Sequence, residues 1–258
     1  MKVVIIGSGN VAESLARAVR ESENTLVQVF ARNKERGSIV AEIGGTEWCD
    51  TPTQLAHADI YLISVSDRAI AEVSASLPFP EEAIVAHTAG CGTLEMLPKQ
   101  CHRAVIYPFQ TFTAGRVVDM HKVYLFVEAE ESETLKKVFA FASTLSDHVE
   151  KADASVREKI HLTGVLACNF VNNLYATAAE VLNSAALPFD VLTPVIEETA
   201  AKAIHSGNPA TIQTGPAMRG DMPTLNRHRA LIGENHLLRT IYDTISENIW
   251  RIKETSKR

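Results

Sequence analysis

The chain has 258 residues, 46% hydrophobic and 22% charged, with a formal net charge of −6. That is long enough for two modest domains with real cores. It carries neither the strongly basic stretch of a nucleic-acid binder nor an apolar run long enough to span a bilayer.

Residues 3–6 read as a strand. Residues 10–21 read as a helix, with Val11, Leu15, Ala18 and Val19 at helical spacing. A second strand over 26–31 is followed by a helix over 34–43 that Gly44-Gly45 closes. Residues 46–49, 60–64, 83–87 and 104–107 read as further strands, with a helix over 69–77. This alternation predicts an α/β fold, a Rossmann-like doubly wound parallel sheet with helices on both faces. Another strand is expected over 123–128, a helix over 132–145 and a last short strand over 148–150. After Ala152 the β-like runs stop. Helices are expected over 153–185, 189–205, 225–232 and 234–253. The domains predicted are 1–152, a Rossmann NAD(P)-binding domain, and 153–258, an all-α C-terminal domain for substrate binding and dimerisation. Helices attached to one α/β domain would leave apolar faces that a homodimer covers.

The loop Gly7-Ser8-Gly9-Asn10-Val11-Ala12 follows the first strand and opens the first helix. In that setting Gly7 allows the tight turn and Gly9 lets the backbone approach a pyrophosphate. Ala12 lets the helix pack close, and the helix N-terminal amides face the phosphates. At the tip of the second strand an NAD site usually has an acid. Here the sequence is Ala31-Arg32-Asn33-Lys34-Glu35-Arg36. Arg32 and Arg36 offer guanidinium groups to a 2′-phosphate, with Asn33 beside them, so NADP(H) is expected ahead of NAD(H). Ser64-Val65-Ser66-Asp67 follows the fourth strand, where the sheet presents its C-terminal edge; Asp67 is either part of that wall or an N-cap. His87 and Gln110 lie in matching positions after the fifth and sixth strands and are candidates for contact with substrate.

Residues 159–173 form an apolar helix that carries His161, Asn169 and Asn172. At 3.6 residues per turn, Asn172 falls within about 20° of His161 and Asn169 within about 80°. The three therefore share a face and are the candidate reaction centre. Polar groups on an apolar helix need partners or a function. The loop 213–221 contributes Thr214, Arg219 and Asp221, suited to fixing a polar or anionic substrate, or else forming a structural turn with an Arg219–Asp221 pair.

Met1-Lys2 leads straight into the first strand, and Gly7 ends the apolar run too early for an export signal. Cys49, Cys91, Cys101 and Cys168 lack paired spacing and read as reduced, buried thiols of a cytoplasmic protein, with no metal site expected.

The motifs 7–12, 31–33 and 64–67 resemble those of the 6-phosphogluconate dehydrogenase-like superfamily. The whole chain is similar to an uncharacterised bacterial family that joins a Rossmann-like NADP-binding domain to a helical domain of unknown function. The matching segments are 87–90, 107–112, His161 with 169–172, 214–216 and 219–221. The resemblance implies NADP-linked oxidoreductase activity. The Lys-x-x-x-Asn pair that superfamily dehydrogenases share is absent, since Lys159 is followed by Thr163. The expected reaction passes hydride between nicotinamide and a small carbonyl, imine or hydroxy-acid substrate. His161 is the acid/base, because imidazole titrates near neutrality. Asn169 and Asn172 orient substrate or nicotinamide, and Arg219 holds a carboxylate. The alternative is an NADP(H)-binding sensor or scaffold without catalysis.

Overall fold

A computed structural model describes residues 1–255. The chain divides into two compact units between Phe170 and Val171.

The first unit is built on a sheet of eight strands: β1 (Lys2–Ile6), β2 (Thr25–Phe30), β3 (Trp48–Cys49), β4 (Ile60–Ile63), β5 (Ile84–His87), β6 (His102–Phe109), β7 (Tyr124–Ala129) and β8 (Val149–Lys151). They lie in the order β3-β2-β1-β4-β5-β6-β7-β8. Every residue of β4 and β5 is buried, as expected of parallel strands covered on both faces. The helices α1 (Asn10–Glu21), α2 (Lys34–Gly44) and α4 (Ser132–Ser143) cover one face, where Leu15, Val40 and Phe141 join Ile5, Leu62 and Ile106 in one core. The other face holds Tyr61, Ile63 and Val85 under Ile70 of α3 (Ile70–Ser76). This is the α/β architecture expected.

The strand order reverses between β1 and β4, the crevice where such sheets take ligands. Gly7 and Ser64 lie at the carboxyl ends of those two strands, and the Ser64 amide donates to the Ile6 carbonyl at 2.7 Å. The sheet is not wholly parallel, contrary to the expectation. β7 runs antiparallel to β6, and β8 then pairs parallel to β7. Parallel neighbours need a crossover, usually a helix. The connections β5–β6 and β6–β7 each contain only a short 3-10 turn, Leu94–Met96 and Met120–Lys122, yet the first pair is parallel and the second antiparallel, whereas α4 supplies the crossover from β7 to β8.

α5 (Ala154–Gly164) opens on Asp153, whose carboxylate accepts from the Val156 amide at 2.9 Å. It runs into a π turn at Val165–Asn169 and then α6 (Phe170–Ser184). The expected helix over 153–185 is thus helical along its length but not uniform.

The second unit contains the remainder of α6, then α7 (Thr193–Ser206), α8 (Pro216–Arg219), α9 (Met222–Ile232) and α10 (His236–Thr255). One well-tied corner among the described residues joins α9 to α10. Asp243 receives Arg229 at 2.8 Å and Arg239 at 2.6 Å, and the His228 ring meets the Tyr242 hydroxyl at 2.8 Å. Ala217 and Leu225 are its buried apolar residues, while Val181, Val195, Ile204, Leu231 and Leu237 are exposed. Among the described residues no helix is long and apolar enough to cross a membrane. Cys49 and Cys101 are buried as expected, but Cys91 and Cys168 are exposed.

Candidate cofactor groove and reaction centre

The β1–α1 turn is shaped by its two glycines for different reasons. Gly7 has φ +126°, and a Cβ there would run into the Ser64 carbonyl. Only glycine fits both the conformation and the space. Gly9 has an ordinary φ, and a Cβ there would meet no protein atom within 4 Å. Internal packing therefore does not demand a glycine at 9, and its open side leaves room for a ligand to approach the backbone. No side chain caps α1, so its first amides are not taken by a capping residue. Ala12 is fully buried against the sheet. These features fit a dinucleotide pyrophosphate.

On one side of this turn lies a groove of about 380 Å³, lined by Gly7, Ser8, Ala31, Arg32, Asn33 and Val65 among others, with Asp50 and Glu72 on its wall. Arg32 is exposed, and no ion-pair partner reaches it among the described residues. Asn33 is the N-cap of α2, its side chain accepting from the Arg36 amide at 3.0 Å. Arg36 is tied to Glu13 of α1 at 2.9 Å. Of the three, Arg32 is the one whose side chain is uncommitted.

On the other side a groove of about 480 Å³ runs along Ser8–Val11, Ser64–Asp67, Thr88, Ala89, Gln110 and Phe112. The carboxyl ends of β1, β4, β5 and β6 thus supply one continuous wall. Asn10 sends its amide to the Phe112 carbonyl at 3.0 Å, which holds the loop after β6 over the start of α1. Gln110 accepts from the Thr111 amide at 2.8 Å. The turn Asp67–Ala69 has Ser66 at its N-cap position, and no side chain caps it.

His161 on α5 lies beside Tyr107 on β6, with Nδ1 3.1 Å from the hydroxyl. A Cβ on Gly90 would stand 2.8 Å from Cζ of Tyr107 and 3.0 Å from Nδ1 of His161. A Cβ on Gly164 would stand 2.8 Å from the Phe109 ring. These two glycines let the β5–β6 connection close on Tyr107 and α5 close on Phe109, whose rings are in edge contact. Burial pushes the Tyr107 phenol up to about 12, with Cys91 and Asp67 adding to the shift. The hydroxyl remains a donor across the physiological range.

His87 is fully buried. Its Nδ1 accepts from the Ala89 amide at 3.2 Å, so Nε2 carries the proton and faces the Thr93 carbonyl at 3.2 Å. Burial, then the nearby Arg157 charge, lowers its pKa to about 4. Both ring nitrogens are occupied within the turn that follows β5.

Sequence reasoning did not single out Tyr107 as a partner for His161, nor Arg157 at all. Arg157 is fully buried on α5. It pairs with Glu128 of β7, donates to the Ala152 carbonyl at 2.9 Å and to the Gly92 carbonyl at 2.7 Å. One cue was available: an Arg one helical turn before His161, with an acid on an expected strand.

The candidate polar residues divide between the two units. Asn169 is exposed within the π turn, and Asn172 is exposed on α6 in the second unit. The π turn, Val165–Asn169, takes in Asn169 and separates His161 from Asn172, so the 3.6-residue period of a regular helix does not run unbroken between them. Thr214, Arg219 and Asp221 also belong to the second unit. Thr214 is exposed, and Arg219 stands 4.0 Å from Asp221. Asp221 caps α9, accepting from the Thr224 amide at 3.1 Å and the Thr224 hydroxyl at 2.8 Å. Those bonds hold its carboxyl below the usual range. Among the described residues no group of three or more His, Cys, Asp or Glu could hold a metal ion.

The sheet order and the glycine turn at its switch point define a dinucleotide-binding Rossmann fold. Residues 2–90 match the family described as NADP oxidoreductase coenzyme F420-dependent, and residues 123–249 match a domain of unknown function (DUF2520). A Bacteroides fragilis protein provisionally assigned as an NADP oxidoreductase is 36% identical. The alignment covers 97% of this chain and 98% of that one, with a TM-score of 0.88. The chain belongs to this family, which joins an NADP oxidoreductase domain to the helical domain, and its cofactor is NADP(H). A Thermotoga maritima protein is 20% identical over 99% of this chain and 100% of that one, with a TM-score of 0.76. An imine reductase from Myxococcus stipitatus, solved with NADP+, is 16% identical over 100% of this chain and 94% of that one, with a TM-score of 0.62. These two likenesses show the fold. No curated protein matches the chain.

Proposed function

We propose that the protein is an NADPH-dependent reductase, or the reverse dehydrogenase, of a small carbonyl, imine or hydroxy-acid substrate, with His161 as its proton-transfer residue. The observation that carries this reading is the Tyr107–His161 hydrogen bond above Gly90, beside the groove that the strand ends form. The C=N alternative draws on the imine reductase that shares the fold.

In this reading the pyrophosphate is held by Gly7, Ser8, Gly9, Asn10, Val11 and Ala12. Arg32 meets the 2′-phosphate, with Asn33 and Arg36 framing it, and Ser64, Val65 and Ser66 line the ribose side. NADPH supplies the hydride when bound. In the reducing direction the protonated imidazole of His161 gives the matching proton from Nε2 to the substrate oxygen or nitrogen and is left neutral, while the Tyr107 hydroxyl oxygen accepts from Nδ1–H and fixes the ring. Gln110, Thr214, Arg219 and Asp221 are assigned to the substrate, Arg219 to a carboxylate, and Asn169 and Asn172 to its orientation. His87 acts from beneath by shaping the turn at 88–93.

We assign 1–152 to cofactor binding and 153–258 to substrate binding and dimerisation. The reading of a homodimer draws on the exposed apolar residues of the second unit, and that of a cytoplasmic protein on the free cysteines.

The test is a panel of aldehydes, ketones, hydroxy acids and cyclic imines, followed by NADPH oxidation or NADP+ reduction. A compound turned over by the wild type and slowed about 100-fold or more by His161→Ala, with NADPH affinity unchanged, supports the assignment. Turnover that survives the substitution sinks it.

A further inference from the structure

We propose that Arg157 is a positioning residue that sets the Tyr107–His161 pair; the inference rests on the reading of His161 as the proton-transfer residue. Arg157 grips both elements that enclose the pair. Its pairing with Glu128 and its bond to the Ala152 carbonyl lock α5 to β7 and to the end of β8. His161 lies one helical turn further along α5, on the same side. Its second arm donates to the Gly92 carbonyl at 2.7 Å and pins the far end of the turn after β5. The near end is pinned by His87, which accepts from the Ala89 amide and fills the space where a Gly92 Cβ would stand, 2.6 Å from Cε1. Gly90, between these two anchors, is the surface on which Tyr107 and His161 rest.

Stability alone is a poor account of this arginine. Its Nε is the one buried side-chain nitrogen or oxygen without a hydrogen-bond partner among the described residues. A buried ion pair with an unsatisfied N–H is costly, and an apolar pair of similar volume is often as stable or more so. A guanidinium is justified here by reach: a planar fork holds a carboxylate and two carbonyls on different elements at once. Lysine offers a single point of charge and cannot span them.

The experiment reads the ring nitrogens of His161 by NMR in the full chain labelled with 15N-histidine. Tyr107→Phe gives the reference for an imidazole that has lost its hydroxyl partner. Arg157→Lys keeps the charge opposite Glu128. It is expected to bind NADPH within about twofold of wild type, because it leaves the dinucleotide turn untouched. Its His161 Nδ1 signal is expected to move to the Tyr107→Phe position. The double variant Arg157→Met/Glu128→Leu removes the charges together, is expected to fold, and should show the same displacement. A folded Arg157→Lys or double variant whose His161 nitrogens match wild type overturns the proposal, whatever its melting temperature. The signal needs no substrate, so its failure is distinct from failure of the enzymatic reading, which the His161→Ala turnover decides.

Discussion

The carbonyl of Ser64, at the end of β4, occupies the space that a Cβ on Gly7, at the end of β1, would need. The two strands that flank the switch point are therefore in contact through a position open only to glycine. Gly7→Ala adds a Cβ to a backbone with φ +126° and drives it into a carbonyl. The strain is expected to cost about 3 kcal/mol, visible as a lowered melting temperature together with lost NADPH binding. Gly9→Ala meets no protein atom and is expected to melt with wild type while binding NADPH more weakly. Unchanged affinity in Gly9→Ala would remove the pyrophosphate from this turn.

Arg32 and Arg36 separate by their partners. Arg36 already has Glu13, whereas Arg32 is free to meet a phosphate. Arg32→Ala is expected to weaken NADPH about tenfold or more and to leave NADH unchanged. Arg36→Ala should have the smaller effect. Parallel fluorescence titrations with the two nucleotides measure both; equal losses for NADPH and NADH would place the 2′-phosphate elsewhere.

His87 makes stability depend on pH in a defined window. Its folded pKa is lowered to about 4 from the ordinary 6.5 by burial and by Arg157. The unfolded chain therefore binds a proton between those values that the folded chain does not. Stability is full above 6.5 and falls as pH drops toward 4, by about 3 kcal/mol from this group at 1.36 kcal/mol per unit. Chemical denaturation across pH 7 to 4 measures the slope. His87→Gln is expected to be less stable at pH 7 and to show a shallower slope; an identical slope would mean that other groups carry the acid sensitivity.

The helical unit predicts its own association. Leu231 and Leu237 are 79% and 73% exposed and border a groove of about 500 Å³ with Val181. Light scattering at micromolar concentration is expected to give the mass of a dimer, and Leu237→Asp is expected to shift it toward the monomer. A wild-type monomer would leave these leucines without a partner copy.

Much of the scaffold is legible along the chain because its signals are local. The apolar run at 3–6, the Gly7–Gly9 turn and the stripe of Leu15, Ala18 and Val19 each act within one or two turns of backbone. The strand-helix units and the dinucleotide loop follow from them. The reversed direction of β7 is not legible in its own residues, since a strand reads the same in either direction. The connection after β6 does not mark it either, since the parallel pair β5–β6 is also joined without an α-helix. Nor is the π turn at Val165–Asn169 legible, since regular helical arithmetic has no term for it.

The residues that the sequence marks for chemistry divide by the same distinction. A glycine at 7 and an arginine at 32 declare themselves by type and place, because a turn and a strand tip impose their demands locally. The tertiary structure alone decided that His87 is sealed within its own turn. It alone paired His161 with Tyr107 across 54 positions, and buried Arg157 between β7 and the Gly92 carbonyl. Such pairings depend on which surfaces the sheet and α5 bring together and on which groups lose water there. That is a property of the packed chain rather than of any segment of it.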